Sequence, residues 1–195
     1  MKGDKIILFI RHSIISLWTL FDPFYHLVRR LKYIGTFQNR KAVFRVKLTK
    51  YKGKDFLLSD GTLITKNDRL LKIHLHNVRI LKEVIKVNDS LHRTRAIYRM
   101  VEQSMPILAM FLENHRRVDD IKGIIGITML NKGVKKLGFE LMYPENGFYI
   151  HFKRISQMPI YLLSTTSLSI KKIKRKKPTY LLMSKEQLFE KYLGA

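Results

Sequence analysis

The stretch AVFRVKLT, residues 42–49, decides the fold. Its valine and phenylalanine side chains alternate with arginine and lysine, a period of two that is typical of a β-strand with one buried face and one wet, basic face. A second stretch with this period, LLKIHLH at residues 70–76, places Leu71, Ile73 and Leu75 on one face. Two such strands close together in the chain predict the centre of a small, mostly antiparallel sheet.

A β-hairpin and three further strands complete the predicted sheet. Asp60-Gly61 is the strongest short hairpin signal in the chain, and it separates two short strand-like runs. The other candidate strands are residues 121–129, 139–142 and 179–183. The last of them is predicted to lie at an edge of the sheet. Gly123 and Gly126, within the first, predict the close approach of another backbone.

Helices are predicted where apolar residues recur every three or four positions. The candidates are residues 78–85, 91–115, 131–137, 148–157 and 185–193. Asn77 is expected to cap the first of them, and Pro106 to kink or split the second. Ser184 and Gln187 form a capping-box pattern at the start of the last helix, and Gly194 ends it. These elements predict an α+β fold whose C-terminal helix docks back on the body.

The N-terminal segment, residues 1–36, is predicted to be an amphipathic helical segment ahead of an α+β domain at 37–195. Its apolar run at 6–21 is interrupted by Arg11 and His12, and it is shorter than the ~20 apolar residues that a membrane-spanning helix needs. It also lacks a long apolar core and a small-residue cleavage site, the features of a secretory signal. We therefore expect a cytoplasmic protein, peripheral on the inner face of the membrane if it binds lipid.

The second half of this segment is predicted to be an amphipathic helix at 24–34, with Asp22 as its N-cap and Pro23 as its first residue. Its apolar side either packs on the protein's own core or lies in the headgroup plane of a membrane. In the membrane interpretation, the aromatic side chains in contact with lipid are Trp18, Phe21 and Tyr25.

Positive charge dominates the composition: 38 lysines and arginines oppose 15 acidic residues, for a net charge of +23. Such a field attracts polyanions, including anionic lipid, phosphate-bearing polymers and nucleic acid, although a basic face can also be merely solvated. The charge is concentrated in two acid-free stretches, 23–54 and 146–185, and the second contains a basic connector near 164–178. The predicted polyanion-binding residues are Arg29, Arg30, Lys32, Arg40, Lys41, Arg45, Lys47, Lys171, Lys172, Lys174, Arg175, Lys176 and Lys177.

Catalytic and metal-site patterns are sparse. His74 and His76 share a strand face and could together touch a metal, but no third ligand follows at a recognisable spacing. No catalytic residue, metal site or cofactor is therefore assigned, and the lack of cysteine excludes thiolate ligands. An enzyme that used these histidines and Asn77 would need a nearby carboxylate, such as Asp60 or Asp68.

Five segments carry a resemblance to a known family. They are FRVKLTKYKG (44–53), LSDGTLITKND (58–68), KIHLHN (72–77), IKGIIGITMLNKGVKKLGFE (121–140) and YLLMSKEQLFEKY (180–192). In order and over nearly the whole chain, the sequence resembles the YkoP-like family of uncharacterised proteins from endospore-forming bacteria. The resemblance carries over no active site. Because similar domains are appended to polysaccharide deacetylases, it implies work at the cell envelope, with an envelope polysaccharide enzyme as a candidate partner.

Three functions follow as hypotheses. The first is a non-enzymatic domain that binds an anionic surface, either a membrane face or an envelope polymer. The second is a nucleic-acid-binding protein, which would need exposed aromatic residues or a groove-reading helix beside its basic residues. The third is an enzyme or accessory domain acting on envelope polysaccharide. The first is favoured because the charge signal is stronger than any catalytic pattern.

Overall fold

The computed structural model describes residues 13, 16, 19, 20, 23, 31–37, 40–84, 87, 89–128, 133–143 and 178–194. The strands among these residues are β1 Lys32–Tyr33, β2 Thr36–Phe37, β3 Arg40–Lys41, β4 Phe44–Lys50, β5 Phe56–Leu57, β6 Leu63–Ile64, β7 Arg69–Leu75, β8 Ile121–Thr128, β9 Glu140–Met142 and β10 Thr179–Ser184. The helices are α1 Asn77–Val84, α2 Ser90–Glu113 and α3 Lys185–Leu193, with a 3-10 turn at Val134–Leu137.

The large sheet has the strand order β1-β4-β7-β8-β10-β9, while β2 with β3 and β5 with β6 form separate two-stranded ribbons. Neighbouring strands of the large sheet are antiparallel except β7 and β8, which run parallel. A parallel pair needs a crossover connection, and α1 and α2 supply it. The predicted α+β class and the mostly antiparallel pairing are therefore confirmed.

The position of β10 corrects one prediction, because it is an internal strand and not an edge strand. It pairs with β8 on one side and with β9 on the other, so that Leu182 lies beside both Ile125 and Glu140. Gly123 is confirmed as a point of close approach, since an added Cβ would meet the backbone carbonyl of Met183. The three-residue strand β9 lies at this edge of the sheet instead.

One face of the sheet carries the main core. The apolar side chains that alternate along β4 and β7, such as Phe44 and Leu71, pack with Leu108 and Leu112 of α2 and with Leu188 of α3. This packing confirms that the C-terminal helix docks on the body. α2 continues through Pro106 as one helix of 24 residues, so the predicted split does not occur, because the buried apolar face holds both halves on the sheet. The alternative, a kink at Pro106, stays a prediction.

The alternation predicts that the other face of the sheet is exposed to solvent, but part of that face is buried. Near the start of β7 the β5–β6 hairpin covers it, and a second cluster forms around Leu70, Ile125 and Leu182 beneath Leu58 and Ile64. The reason is that β8 and β10 present isoleucine and leucine on this face, and these residues need a cover.

The start of one helix follows the predicted signal, and the starts of the other two differ from the prediction. Ser184 accepts a hydrogen bond from the backbone N–H of Gln187 at 3.0 Å, which confirms the cap of α3. Asp89, not singled out from the sequence, caps α2 by accepting from the N–H of His92 at 2.9 Å. Asn77 is the first residue of α1 rather than a residue before it.

The N-terminal segment is helical at the described residues between 13 and 23, but Lys32 and Tyr33 form β1, so the predicted helix does not extend to 34. The division at residue 36 stays a prediction. No helix in the described ranges combines the length and the apolarity that crossing a bilayer requires. Several predictions lie outside the described residues: Trp18, Phe21, Tyr25, Arg29, Arg30, the helix at 148–157, the connector up to residue 177 and its basic run, Lys171, Lys172, Lys174, Arg175, Lys176 and Lys177.

Candidate anion-binding surface

The two ends of the sheet differ in the charge of their connections. We call the end where β4 and β10 begin the basic end, and the opposite end the carboxylate end. At the basic end Phe44 pairs with Leu75, and two strands away Thr179 pairs with Thr128. Because β7 and β8 are parallel, both strands finish there.

The chain segments that lead into β4 and β10 are almost free of acids. The lead into β4, residues 34–43, contains Arg40 and Lys41 and no acidic residue. The connection from β9 to β10, residues 143–178, contains eight lysines and arginines and one acid, Glu145. Its basic run is joined through Pro178 to the first residue of β10, so the chain leads from this run, as it does from residues 34–43, into a strand that begins at the basic end.

The carboxylate end holds Asp55, Asp60, Asp68, Asp119 and Asp120 in its two long connections, residues 51–68 and 114–120. Four of these carboxylates, those of Asp55, Asp60, Asp68 and Asp120, accept hydrogen bonds or form ion pairs within the protein. Asp120 pairs with Arg69 at 2.6 Å and with Arg117 at 2.9 Å, and Asp68 pairs with Lys122 at 2.9 Å.

Hydrogen bonds hold two of these carboxylates in the charged form. Burial alone would raise the pKa of Asp60, but bonds from Ser184 and Thr62 outweigh it and lower the pKa below 3.8. Burial also opposes ionisation of Asp68, and bonds from Thr65 and Lys122 lower the pKa in the same way. These acids therefore brace the hairpin and the strand ends.

Basic side chains face one another across β4 and β7. Lys47 lies directly opposite Lys72, and Arg45 opposite His74, so four basic residues form two cross-strand pairs on one sheet face. Like charges directly opposite each other destabilise a sheet. The side chain of Lys47 is half-buried.

Arg45 differs from the solvent-facing residue that the alternation suggests, because it is only 2% exposed. Its guanidinium donates a hydrogen bond to the Tyr33 hydroxyl at 2.7 Å and lies 4.9 Å from the centre of that ring. The Tyr33 ring in turn meets the His76 ring edge-on at 5.7 Å between centroids. Arg45 therefore supports Tyr33 from beneath, and burial argues against direct contact between Arg45 and a large anion.

A cavity of about 410 Å³ opens on the helical side of the sheet. Its lining residues are Lys41, Val43, Arg79, Met100, Gln103, Ser104 and Ile107. Arg79 was not among the site residues predicted from the sequence. A signal did exist, since α1 has no acidic residue in its first turn and carries Arg79 where an acid is normally favoured.

The histidines do not meet the carboxylates that an enzyme would need. His74 and His76 lie at the basic end, whereas Asp68 immediately precedes β7 at the other end. The seven residues of β7 span about 20 Å. Asp60 is bonded to Ser184, also at the carboxylate end. Within the described part of the chain, no three metal-ligating side chains gather at one point.

Four other predicted anion-binding residues fall in the described ranges. Lys32 on β1 and Lys41 on β3 are exposed, Lys47 on β4 is half-buried, and Arg40 is placed on β3. All four lie on β1, β4 or the ribbon that joins them. Lys47 is the middle residue of β4, opposite Lys72 of β7, and the contact of these four residues with an anion stays a prediction.

Comparison with known proteins supports the resemblance noted from the motifs. The model of the YkoP domain family matches residues 11–192. A Bacillus subtilis (strain 168) protein named "Uncharacterized protein YkoP" is 46% identical over 178 residues, which cover 91% of this chain and 95% of that protein. No solved structure matches the chain.

Proposed function

The chain belongs to the YkoP domain family, and because the name of its B. subtilis relative states no activity, we propose a function from the geometry of this chain. It is a non-enzymatic domain that binds an anionic surface, a membrane face or an envelope polymer, with the basic end of its sheet. The observation that carries the proposal is that two acid-free segments, residues 34–43 and 146–178, each lead into a strand that begins at that end, β4 and β10.

Cations that lie at one end of the molecule can all approach a flat anionic surface at the same time. A lysine or arginine near an anionic membrane contributes about 1 kcal/mol, and only cations on the side that faces the surface contribute. Charges spread evenly around the molecule would leave most of them too far away, because the field decays within about 8 Å in physiological salt. The acids at the carboxylate end lie away from the surface.

Exposed tyrosines favour a lipid headgroup layer as the surface. Tyr33 on one edge strand is 52% exposed, and Tyr143, directly after the other edge strand, is 59% exposed. Tyr33 is the last residue of β1 and Tyr143 comes directly after β9, and both of these strands end toward the basic end. A tyrosine combines an apolar ring with a polar tip, which suits the boundary between water and acyl chains. Tyrosines at both edges would meet a flat layer together.

Co-sedimentation with lipid vesicles tests the proposal. The full chain is mixed with vesicles of phosphatidylcholine alone and with vesicles that also contain phosphatidylglycerol, over a range of salt concentrations. We expect binding only to the anionic vesicles, falling as salt is added. Equal binding to both kinds of vesicle, or none to either, would contradict the membrane proposal.

Two soluble polyanions separate the remaining alternatives. A poly(glycerol phosphate) polymer should compete with anionic vesicles, because it offers the same phosphate charge without acyl chains. Double-stranded DNA should compete only weakly at physiological salt. If DNA instead binds far more tightly than the vesicles, with a steep salt dependence, the nucleic-acid hypothesis replaces the proposal.

A further inference from the structure

The cavity at the basic end has the construction of a small anion site. It lies between the lead into β4, the first turn of α1 and the middle of α2, three parts of the fold that the core holds together. Its volume of about 410 Å³ falls in the range of small-molecule sites. Its lining combines a cationic rim with an apolar floor.

The rim carries two cations without a carboxylate partner. Within the described ranges, neither Lys41 nor Arg79 forms an ion pair. Arg79 donates one hydrogen bond to the backbone carbonyl of Ala42, at 3.2 Å, and this bond holds the guanidinium at the cavity. A guanidinium has five N–H donors, so others remain for a ligand. Arginine suits phosphate because its planar fork can donate two parallel hydrogen bonds.

The start of α1 adds to the positive potential. A helix N-terminus carries a partial positive charge, which an acidic side chain in the first turn normally offsets. In α1 that turn contains Arg79 and no acid. This arrangement costs stability in the free protein, and an anion bound beside Arg79 would offset the cost.

The floor and one wall suit the uncharged part of a ligand. Val43, Met100 and Ile107 are apolar, and the Ser104 hydroxyl is already engaged by Val43 N–H at 3.0 Å and the Met100 carbonyl at 2.7 Å. The amide of Gln103 makes no hydrogen bond to any described residue, so it is available to a hydroxyl group.

We propose that this cavity binds a phosphate ester of a short polyol, a glycerophosphate-type group. Arg79 and Lys41 hold the phosphate oxygens, Gln103 bonds a polyol hydroxyl, and the apolar floor packs against the carbons. The inference rests on the proposed function and deepens it, since such a group occurs both as a lipid headgroup and as the repeating unit of a polymer.

Methionine-methyl NMR on the full chain tests the site. Met100 lines the cavity, while Met142 and Met183 pack elsewhere and serve as internal references. Glycerol 3-phosphate should shift the Met100 methyl resonance in a saturable manner, inorganic phosphate should shift it more weakly, and glycerol should leave it unmoved. A Met100 resonance that stays unmoved, or moves equally with glycerol, overturns the proposal.

A matched pair of variants adds a second readout. Gln103→Glu places a carboxylate at the rim without changing side-chain size, and Asn67→Asp adds the same charge to an exposed turn at the carboxylate end. We expect the first to weaken glycerol 3-phosphate binding about tenfold or more and the second less than twofold. Arg79→Gln should weaken it about tenfold as well. Unchanged thermal melting shows that each variant is folded.

The outcomes separate this site from the broader proposal. If anionic vesicles bind but Met100 does not respond to glycerol 3-phosphate, the cavity assignment is wrong and the surface proposal stands. If neither binds, both are wrong. If Gln103→Glu and Asn67→Asp weaken binding equally, the ligand senses only net charge and the cavity assignment is again wrong.

To distinguish a lipid headgroup from a polymer unit, the same Met100 signal is followed with short-chain phosphatidylglycerol and with the poly(glycerol phosphate) polymer. Both carry the group that the cavity recognises, and we expect both to shift the resonance to the same bound position. A shift with neither, although glycerol 3-phosphate binds, would overturn the claim that the cavity takes the group in its attached form.

Discussion

Lys47 lies directly opposite Lys72 where β4 pairs with β7. Directly opposed like charges cost a sheet some tenths of a kcal/mol, and an opposite-charge pair gains a similar amount. The pair places two positive charges side by side on this face of the sheet.

Lys47→Glu should raise stability and weaken anion binding in one variant. The glutamate would face Lys72, so we expect the free energy of unfolding to rise by about 0.5 kcal/mol. The change of two charge units should lower affinity for anionic vesicles about tenfold. Urea denaturation and vesicle co-sedimentation give the two readouts.

Lys50→Glu is the matched control for this variant. Lys50 is opposite Arg69 at the carboxylate end, so the control makes the same charge change beside another basic partner. It should change vesicle affinity less than twofold. If both variants weaken binding equally, position on the sheet does not matter and the assignment of the basic end fails.

Gly123→Ala should destabilise the protein more than Gly126→Ala. A Cβ at Gly123 would meet the backbone carbonyl of Met183, which cannot retreat because β10 is paired on both sides. A Cβ at Gly126 would lie 3.2 Å from the Ile73 side chain, which can rotate. We expect a loss of about 2–3 kcal/mol for the first and less than half of it for the second, by urea denaturation. Equal losses would show that β10 is not held as described.

Acid should weaken the anchor of the β5–β6 hairpin. The lowered pKa of Asp60 means that its stabilising effect is complete above the ordinary value of 3.8 and is lost as pH falls through the folded-state pKa. Asp60→Asn removes the charged acceptor of the Ser184 hydroxyl, so we expect a loss of about 1 kcal/mol at neutral pH and a weaker acid dependence. Thermal melting over a pH series measures both.

Asp119→Asn is the control for the acid experiment. Asp119 is an exposed aspartate at the same end of the sheet. Its substitution should leave both stability and the acid dependence nearly unchanged. An acid dependence of Asp60→Asn identical to that of the unsubstituted protein would mean that Asp60 does not anchor the hairpin.

Local patterns in the sequence predicted much of the fold. Alternation gave β4 and β7, Asp60-Gly61 gave the hairpin, and Ser184 with Gln187 gave the start of α3. Each of these signals is complete within a few residues, because side-chain period, turn conformation and capping are local properties.

Pairing between distant segments could not be predicted in this way. The internal position of β10 depends on β9, a three-residue strand whose sequence does not specify its partner. The burial of Arg45 depends on what covers the second face of the sheet. Alternation shows which residues share a face, but it does not predict whether that face is covered. The cavity beside Arg79 is lined by three segments that are far apart in the chain, so no single sequence motif predicts it.

The most direct test of the account compares two double variants with the same net charge. Lys32→Gln with Lys41→Gln neutralises two exposed lysines toward the basic end, and Lys52→Gln with Lys66→Gln neutralises two exposed lysines at the carboxylate end. None of the four makes an ion pair with a described residue, so the substitutions break no such pair in the folded protein. The measurement is affinity for vesicles containing phosphatidylglycerol. The account predicts a loss of about tenfold for the first variant and less than twofold for the second; equal losses would contradict it.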